Sequence, residues 1–366
     1  MPNECRVPIV PKSVLRLKNH GIEFLVESGA GESALFTDMM YLEAGCQIVP
    51  DAITLYKESE LIIKIHRPMF NPVSGIHELD MMNDNSILVA MLQHLINREL
   101  IEQLAIKDIT SFSMDAIPRI ARAQMMDVLS SMSTLVGYKA VLVGANLSGR
   151  YLPLLMTAGA TIPAARVLIV GVGVAGLQAI ATAHRLGAIV EAFDIRPGVR
   201  EQAESLGAIF IEAEKITDKT EDQGGYAKEV NDEIRRYEEE VLFEHIKNAD
   251  IVITTALVPG KKAPILITES MVKSMKPGSV IVDLAAETGG NCELTETGKN
   301  IIKHKVIISG PLNLTSSMPS DASQLYSANV ANLLSLLLKN GELNLDFNDT
   351  IINNCCITYQ GKIRQV

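Results

Sequence analysis

A chain of 366 residues, 47% hydrophobic and 21% charged, has ordinary globular composition, and its length favours more than one hydrophobic core. The net charge of −10 disfavours nucleic acid or an anionic membrane surface as a direct partner. Five cysteines without C-x-x-C spacing and seven histidines without H-E-x-x-H spacing predict no disulfide framework and no metal site. No basic segment followed by an apolar one opens the chain, and no unbroken apolar run reaches the ~18 residues of a membrane span. A cytoplasmic protein is expected.

Taken in order, residues 23–27 (Glu-Phe-Leu-Val-Glu) read as a strand and 28–32 as a small-residue turn. Residues 61–65 and 86–90 are further strands, and a helix is expected near 98–105. Strands alternating with helices indicate an α/β domain with a largely parallel sheet. A polar helix is predicted over residues 117–135, entered at Pro118. It carries Arg119, Arg122, Gln124 and Asp127 between apolar Ile120, Met125, Val128 and Leu129, and is expected to form the hinge between domains. The plain reading of Arg119, Gln124 and Asp127 is a solvated helix face. From Arg166 a βαβ rhythm begins, with strands at 167–170, 189–193, 251–254, 280–282 and 306–308 and a helix at 176–186. The stretch from Ile211 to Ile246 is strongly acidic, which on its own signals a solvated helix or loop. A helix from about 320 to 338 is expected to return the chain to the first domain.

One motif carries chemistry. Gly171-Val172-Gly173-Val174-Ala175-Gly176 is a G-x-G-x-x-G that follows an apolar strand, opens a helix and precedes a second strand closed by Asp194. In such a setting Gly171 makes the tight turn, Gly173 lets a pyrophosphate approach the backbone, and Gly176 lets helix and strand pack closely. The helix N-terminus favours the phosphate charge. Asp194 is expected to accept the ribose hydroxyls and repel a 2′-phosphate, which selects NAD(H) over NADP(H); Arg196, two residues on, could instead receive that phosphate.

Several longer segments then resemble one family. They are Arg119 to Asp127 with Ser130, Gly171 to Gln178, Asp222-Gln223-Gly224-Gly225-Tyr226-Ala227-Lys228-Glu229, Ile253 to Gly260, and Val282 to Asn291. In this order they resemble the soluble NAD(H)-binding domain of proton-translocating NAD(P)+ transhydrogenase, in the split form where that domain is its own alpha subunit. The resemblance covers essentially the whole chain. It implies hydride exchange between NADH here and NADP+ on a partner subunit, coupled to proton movement through membrane-spanning subunits. It implies a homodimer of this chain, peripheral at the cytoplasmic face of the inner membrane. Arg119 would hold the nicotinamide carboxamide and Gln124 would orient the nicotinamide ribose. Asp127 and Ser130 would support the same end, and Tyr226 would close a mobile lid over the nucleotide. Val174, Ile195, Arg196, Gly225 and Leu257 join the glycines and Asp194 as implied cofactor contacts.

The implied architecture is two α/β Rossmann-like domains with parallel sheets and the nucleotide in the cleft between them. The first comprises residues 1–133 plus 319–366, and the NAD(H)-binding domain comprises 134–318. Alanine dehydrogenase, which shares this architecture, is the nearest alternative. Arg6-Val7-Pro8 and His94-Leu95 resemble its substrate-site motifs, but His66 stands where it has a substrate lysine and Glu287 where it has a catalytic aspartate. Arg6 and His94 are therefore expected to serve packing. An NAD-binding module without chemistry is a third reading, which leaves the Arg119–Gln124–Asp127 set without a purpose.

Overall fold

A computed structural model describes residues 3–211, 232–258 and 260–364. The chain divides into two compact units, Met1–Met132 with Thr315–Val366, and Ser133–Leu314. Among the described residues, the elements that place functional groups are these, in chain order. Strands β1 (Leu61–His66), β2 (Ile87–Met91) and β3 (Thr110–Ser113), with helix α1 (Arg98–Ile106), belong to the first unit. Helix α2 (Val128–Ser148) crosses the boundary. The second unit holds β4 (Arg166–Val170), α3 (Val174–Arg185), β5 (Ile189–Phe193), β6 (Ile209–Phe210), α4 (Asp232–Ile246), β7 (Ile251–Thr254), β8 (Val280–Asp283), β9 (Asn300–Lys303) and β10 (Val306–Ser309). Helix α5 (Pro319–Leu337) and strands β11 (Cys356–Tyr359) and β12 (Lys362–Ile363) complete the first unit.

The second unit is a doubly wound sheet of order β6-β5-β4-β7-β8-β10-β9, parallel except for the edge strand β9. Its central strands are runs of Val, Ile and Leu because both faces are covered. Val167, Ile169, Ile251, Ile253 and Val282 enter one core with Ala179 and Ile180 of α3. The alternate residues Leu168, Val170, Val252 and Ile281 enter the other with Leu242 and Ile246 of α4. Strand order reverses at β4, so the carboxyl ends of β4 and β7 flank the topological switch point, where such sheets bind ligands.

By length and composition α2 could cross a membrane. Its packing accounts for that composition. Ala140 and Val141 are fully buried in the core of the second unit, a Cβ on Gly137 would collide with the Ala175 carbonyl, and one on Gly144 would meet an Ile251 methyl at 2.8 Å. The small residues let α2 lie close against α3 and the sheet.

The first unit has a five-stranded sheet of order β12-β11-β3-β2-β1. β1, β2 and β3 run parallel, while β11 joins β3 antiparallel and β12 joins β11 antiparallel. The sheet is therefore mixed where a largely parallel one was expected. The expected strand at 23–27 forms over Leu25–Glu27 and pairs in parallel with Gln47–Val49.

The expected continuous helix over 117–135 does not form. Pro118 holds Ile117 in extended backbone (ψ 125°), as the residue before a proline must be. A single 3-10 stretch, Ala121–Met126, follows. The α-helix then starts afresh at Val128, because the Asp127 carboxylate accepts the Ser130 N–H (2.9 Å) and so caps it.

Candidate functional site

In the second unit the glycine-rich turn sits at the carboxyl end of β4. Gly171 has φ +99°, a left-handed conformation that favours glycine, and its N–H donates to the Phe193 carbonyl at 2.8 Å. A Cβ on Gly176 would fall well inside contact distance of the Gly171 carbonyl oxygen, so only glycine lets α3 start this close to the turn. Gly173, by contrast, has open space where its Cβ would point. Val172 N–H and Arg196 N–H both donate to Asp194, at 2.7 and 2.9 Å. The Arg196 guanidinium adds two more bonds to the same carboxylate, Nε at 2.8 Å and Nη2 at 2.7 Å. Asp194 is 8% exposed. The two side chains that compete for the ribose end in the sequence thus form one ion pair.

Two further strand ends close on this turn. Thr255, just past β7, donates its hydroxyl to the Gly171 carbonyl at 2.9 Å, which seats Ala256 and the exposed Leu257 beside the turn. Asn291 fixes that segment: its Oδ1 accepts the Ala256 N–H (3.0 Å) and its Nδ2 donates to the carbonyls of Ala256 (2.9 Å) and Pro264 (2.8 Å). Asp283, at the end of β8 and fully buried, accepts from Thr254 and Thr295 hydroxyls and from the N–H groups of Ala285, Asn291 and Cys292, at 2.6–3.0 Å. Sequence reasoning matched Asp283 and Asn291 as members of a segment without giving them this work. The available signal was a polar residue closing each of two otherwise β-branched strands, Thr254 and Asp283.

The second expected set lies in the first unit. Arg119 and Gln124 are exposed on the segment between Ile117 and Asp127, while Ala123 and Met126 are buried beneath it. Asp127 and Ser130 are brought together, with the Ser130 hydroxyl 2.6 Å from Asp127 Oδ2. Since α2 begins only at Val128, Arg119, Gln124 and Asp127 do not share a helix face. Tyr226 and Gly225, with the expected lid, lie outside the described residues.

Three further residues singled out in the sequence gather in the first unit. The guanidinium of Arg6 binds both oxygens of Glu4, at 2.7 and 2.8 Å, and Glu4 also meets His66 Nε2 (2.6 Å) and the Ser316 hydroxyl (2.8 Å). Burial alone would raise the Glu4 carboxyl, yet its bonds to Arg6 and His66 hold it well below the usual carboxylate range. His94 has its pKa lowered by burial, against the opposing pull of Asp115. Lys64 is committed elsewhere, to Tyr56 and Glu78.

Both units have counterparts in known proteins. The alanine dehydrogenase/PNT N-terminal domain matches residues 1–136, and the C-terminal domain matches residues 140–366. The chain is 46% identical to the first of the separate chains of NAD(P) transhydrogenase subunit alpha in Rhodospirillum rubrum, over 99% of this chain and 95% of that one. The chain belongs to the alanine dehydrogenase/PNT family. Within the family it is also 42% identical to the corresponding first chain of NAD(P) transhydrogenase subunit alpha in Rickettsia prowazekii (99% of this chain, 93% of the other). Identity falls to 30% with alanine dehydrogenase 2 of Staphylococcus aureus, over 87% and 79% of the two chains. Among solved structures of the family, the transhydrogenase from Sinorhizobium meliloti superposes with a TM-score of 0.84 at 39% identity, covering 99% of this chain and 96% of that one. The sequence is thus nearer the transhydrogenase alpha subunits than alanine dehydrogenase 2 of S. aureus.

Proposed function

We propose that this chain is the NAD(H)-binding subunit of a proton-translocating transhydrogenase, with residues 134–318 as its nucleotide-binding domain. It passes hydride between NADH and NADP+ held on a partner subunit, and membrane-spanning subunits couple that exchange to proton movement. The observation that carries the nucleotide assignment is the G-x-G-x-x-G turn, its glycines at a left-handed, an open and a sterically closed position, with the buried Asp194 beside it. NAD(H) supplies the transferable hydride. The chain's own role is to hold the cofactor and orient it: Gly171, Gly173, Val174 and Gly176 at the phosphates, and Asp194, Ile195 and Arg196 at the adenosine ribose. Leu257 lies against the cofactor, Gly225 and Tyr226 belong to the segment that covers it, and Arg119, Gln124, Asp127 and Ser130 serve the nicotinamide end.

Hydride transfer needs neither nucleophile nor metal, only two rings held in register with water kept out. Polar groups on a well-anchored segment suffice for that. The alanine dehydrogenase reading is disfavoured because His66, in place of the lysine, is engaged with Glu4. Assembly as a homodimer agrees with the exposed apolar side chains of the hairpin Leu155–Met156/Thr161–Ile162, where Met156 is 73% exposed. Attachment to the cytoplasmic face of the membrane would come through the partner subunits.

The cofactor choice is tested at Asp194. Asp194→Ala removes the ribose acceptor and releases the Arg196 guanidinium, a natural partner for a 2′-phosphate. NADH affinity should fall about 10- to 100-fold, the range for a charged hydrogen bond worth ~1.5–3 kcal/mol, while NADPH affinity falls less or rises. Fluorescence titration with both nucleotides gives the ratio. An unchanged NADH/NADPH preference would remove Asp194 from the ribose site.

A further inference from the structure

The segment that carries Gln124 is held from outside itself. The Met125 carbonyl accepts two side-chain amides from α5, Asn329 Nδ2 at 2.9 Å and Asn332 Nδ2 at 2.8 Å. The orientation of Asn332 is fixed in turn by Arg16, whose Nη2 donates to its Oδ1 at 2.6 Å. One turn of chain earlier, Arg122 makes a two-bond ion pair with Asp349, each bond 2.7 Å, and Asp349 also caps the helix Thr350–Cys355. Gln124 lies between these two attachments.

Asn329 is 6% exposed, and among the described residues its Oδ1 is a buried acceptor without a hydrogen-bond partner. Turning the amide over would put oxygen against the Met125 carbonyl, so the bond to Met125 sets the orientation that leaves Oδ1 alone. Leaving a buried polar atom unpaired costs stability, and an apolar residue of similar size would avoid that cost. An unpaired polar group in a native core calls for a reason, and here the bond that Nδ2 makes supplies one.

We propose that Asn329 and Asn332 are positioning residues for hydride transfer: together they clamp the Met125 carbonyl and so give the neighbouring Gln124 a single place. The proposal rests on the reading of the Arg119–Ser130 segment as the nicotinamide end. Released from the clamp, the 3-10 stretch keeps its contacts through Ala123 and Met126 but loses its fixed register at Gln124. Misplacement of a reacting group by ~1 Å costs on the order of 100-fold in rate, so partial release should cost about 10-fold.

The test uses the full chain with NADH and its NADP(H)-binding partner subunit, and measures NADPH formation, NADH affinity and thermal stability for Asn329→Leu. The expected result is transfer slowed about 10-fold, NADH affinity within about twofold of the parent, and a melting temperature equal or higher. Asn332→Leu, at a half-buried position, carries the same test should Asn329→Leu fail to fold. Unaltered transfer overturns the proposal, as does a loss of rate that only tracks loss of NADH affinity and of stability. Gln124→Asn run in parallel separates the two levels. If it slows transfer and the clamp variants do not, the clamp is wrong and the segment's role stands; if it too leaves the rate unaltered, the role falls and the clamp with it.

Discussion

Gly173→Val and Gly176→Ala should both abolish useful NADH binding, and only the second should damage the fold. At Gly173 the added side chain points into open space, so the protein accommodates it. That open space is where a pyrophosphate would approach the backbone, and NADH affinity should fall on the order of 100-fold because the phosphates lose their contact with the turn. At Gly176 the Cβ collides with the Gly171 carbonyl, a backbone atom that cannot swing aside, and lies 3.5 Å from an Ile169 methyl. Helix α3 must then move off the turn, carrying its first N–H groups away from the anion and costing about 1–3 kcal/mol in overpacking. Titration with NADH and thermal unfolding of both variants separate the roles. A Gly173→Val protein that binds NADH like the parent would show that the open face of the turn is not the cofactor's.

Asp283→Ala should be the most damaging single change to stability in the second unit. Five donors converge on that buried carboxylate, from three backbone N–H groups and two hydroxyls. Removing it leaves them without a partner in the interior, at roughly 1–3 kcal/mol for each donor that finds no substitute. With partial compensation the loss should be about 3–5 kcal/mol. For a unit of this size that is a fall of about 10 °C in melting temperature. Asp283→Asn should recover little, since an amide NH2 would face N–H groups. The cofactor should suffer as well, because Asn291, whose N–H binds Asp283, is what holds Ala256 beside Gly171. A melting temperature within about 2 °C of the parent for Asp283→Ala would show that the strand-end segment is held by other means.

The second unit is legible in the sequence because its strands bury both faces: β4, β7 and β8 are apolar runs whose alternate residues supply two cores. Strand β3 is not. Its sequence, Thr-Ser-Phe-Ser, is polar, yet Ser111 is buried because its hydroxyl meets that of Thr358 on β11 at 2.6 Å. That partner lies 247 residues away, beyond any local pattern. By pattern alone helix α2 ends at about residue 135, since Gly137 and Gly144 weaken a helix; in the fold they are the positions of closest packing on Ala175 and Ile251. The apolar spacing of Ile120, Met125 and Val128 suggests one helix, and Pro118 and Asp127, both present in the sequence as stop and start signals, decide otherwise.

The same contrast holds for the candidate site. The glycine turn and Asp194 can be found because each residue has its job within about 20 positions of chain. The pairing of Asp194 with Arg196, the five donors on Asp283, and the two asparagines on Met125 depend on how separate strand ends and helices meet. Only the folded chain displays them.

The central claim is that this chain hands hydride to another nucleotide and not to a small substrate. NADH carrying deuterium at the transferable position, bound to the full chain and mixed with the partner subunit loaded with NADP+, tests it by mass spectrometry of the products. The account predicts the label in NADPH without dilution by solvent protons, and no oxidation of NADH by the chain alone with pyruvate and ammonium. Pyruvate-dependent oxidation by the chain alone, or NADPH formed without the label, would contradict it.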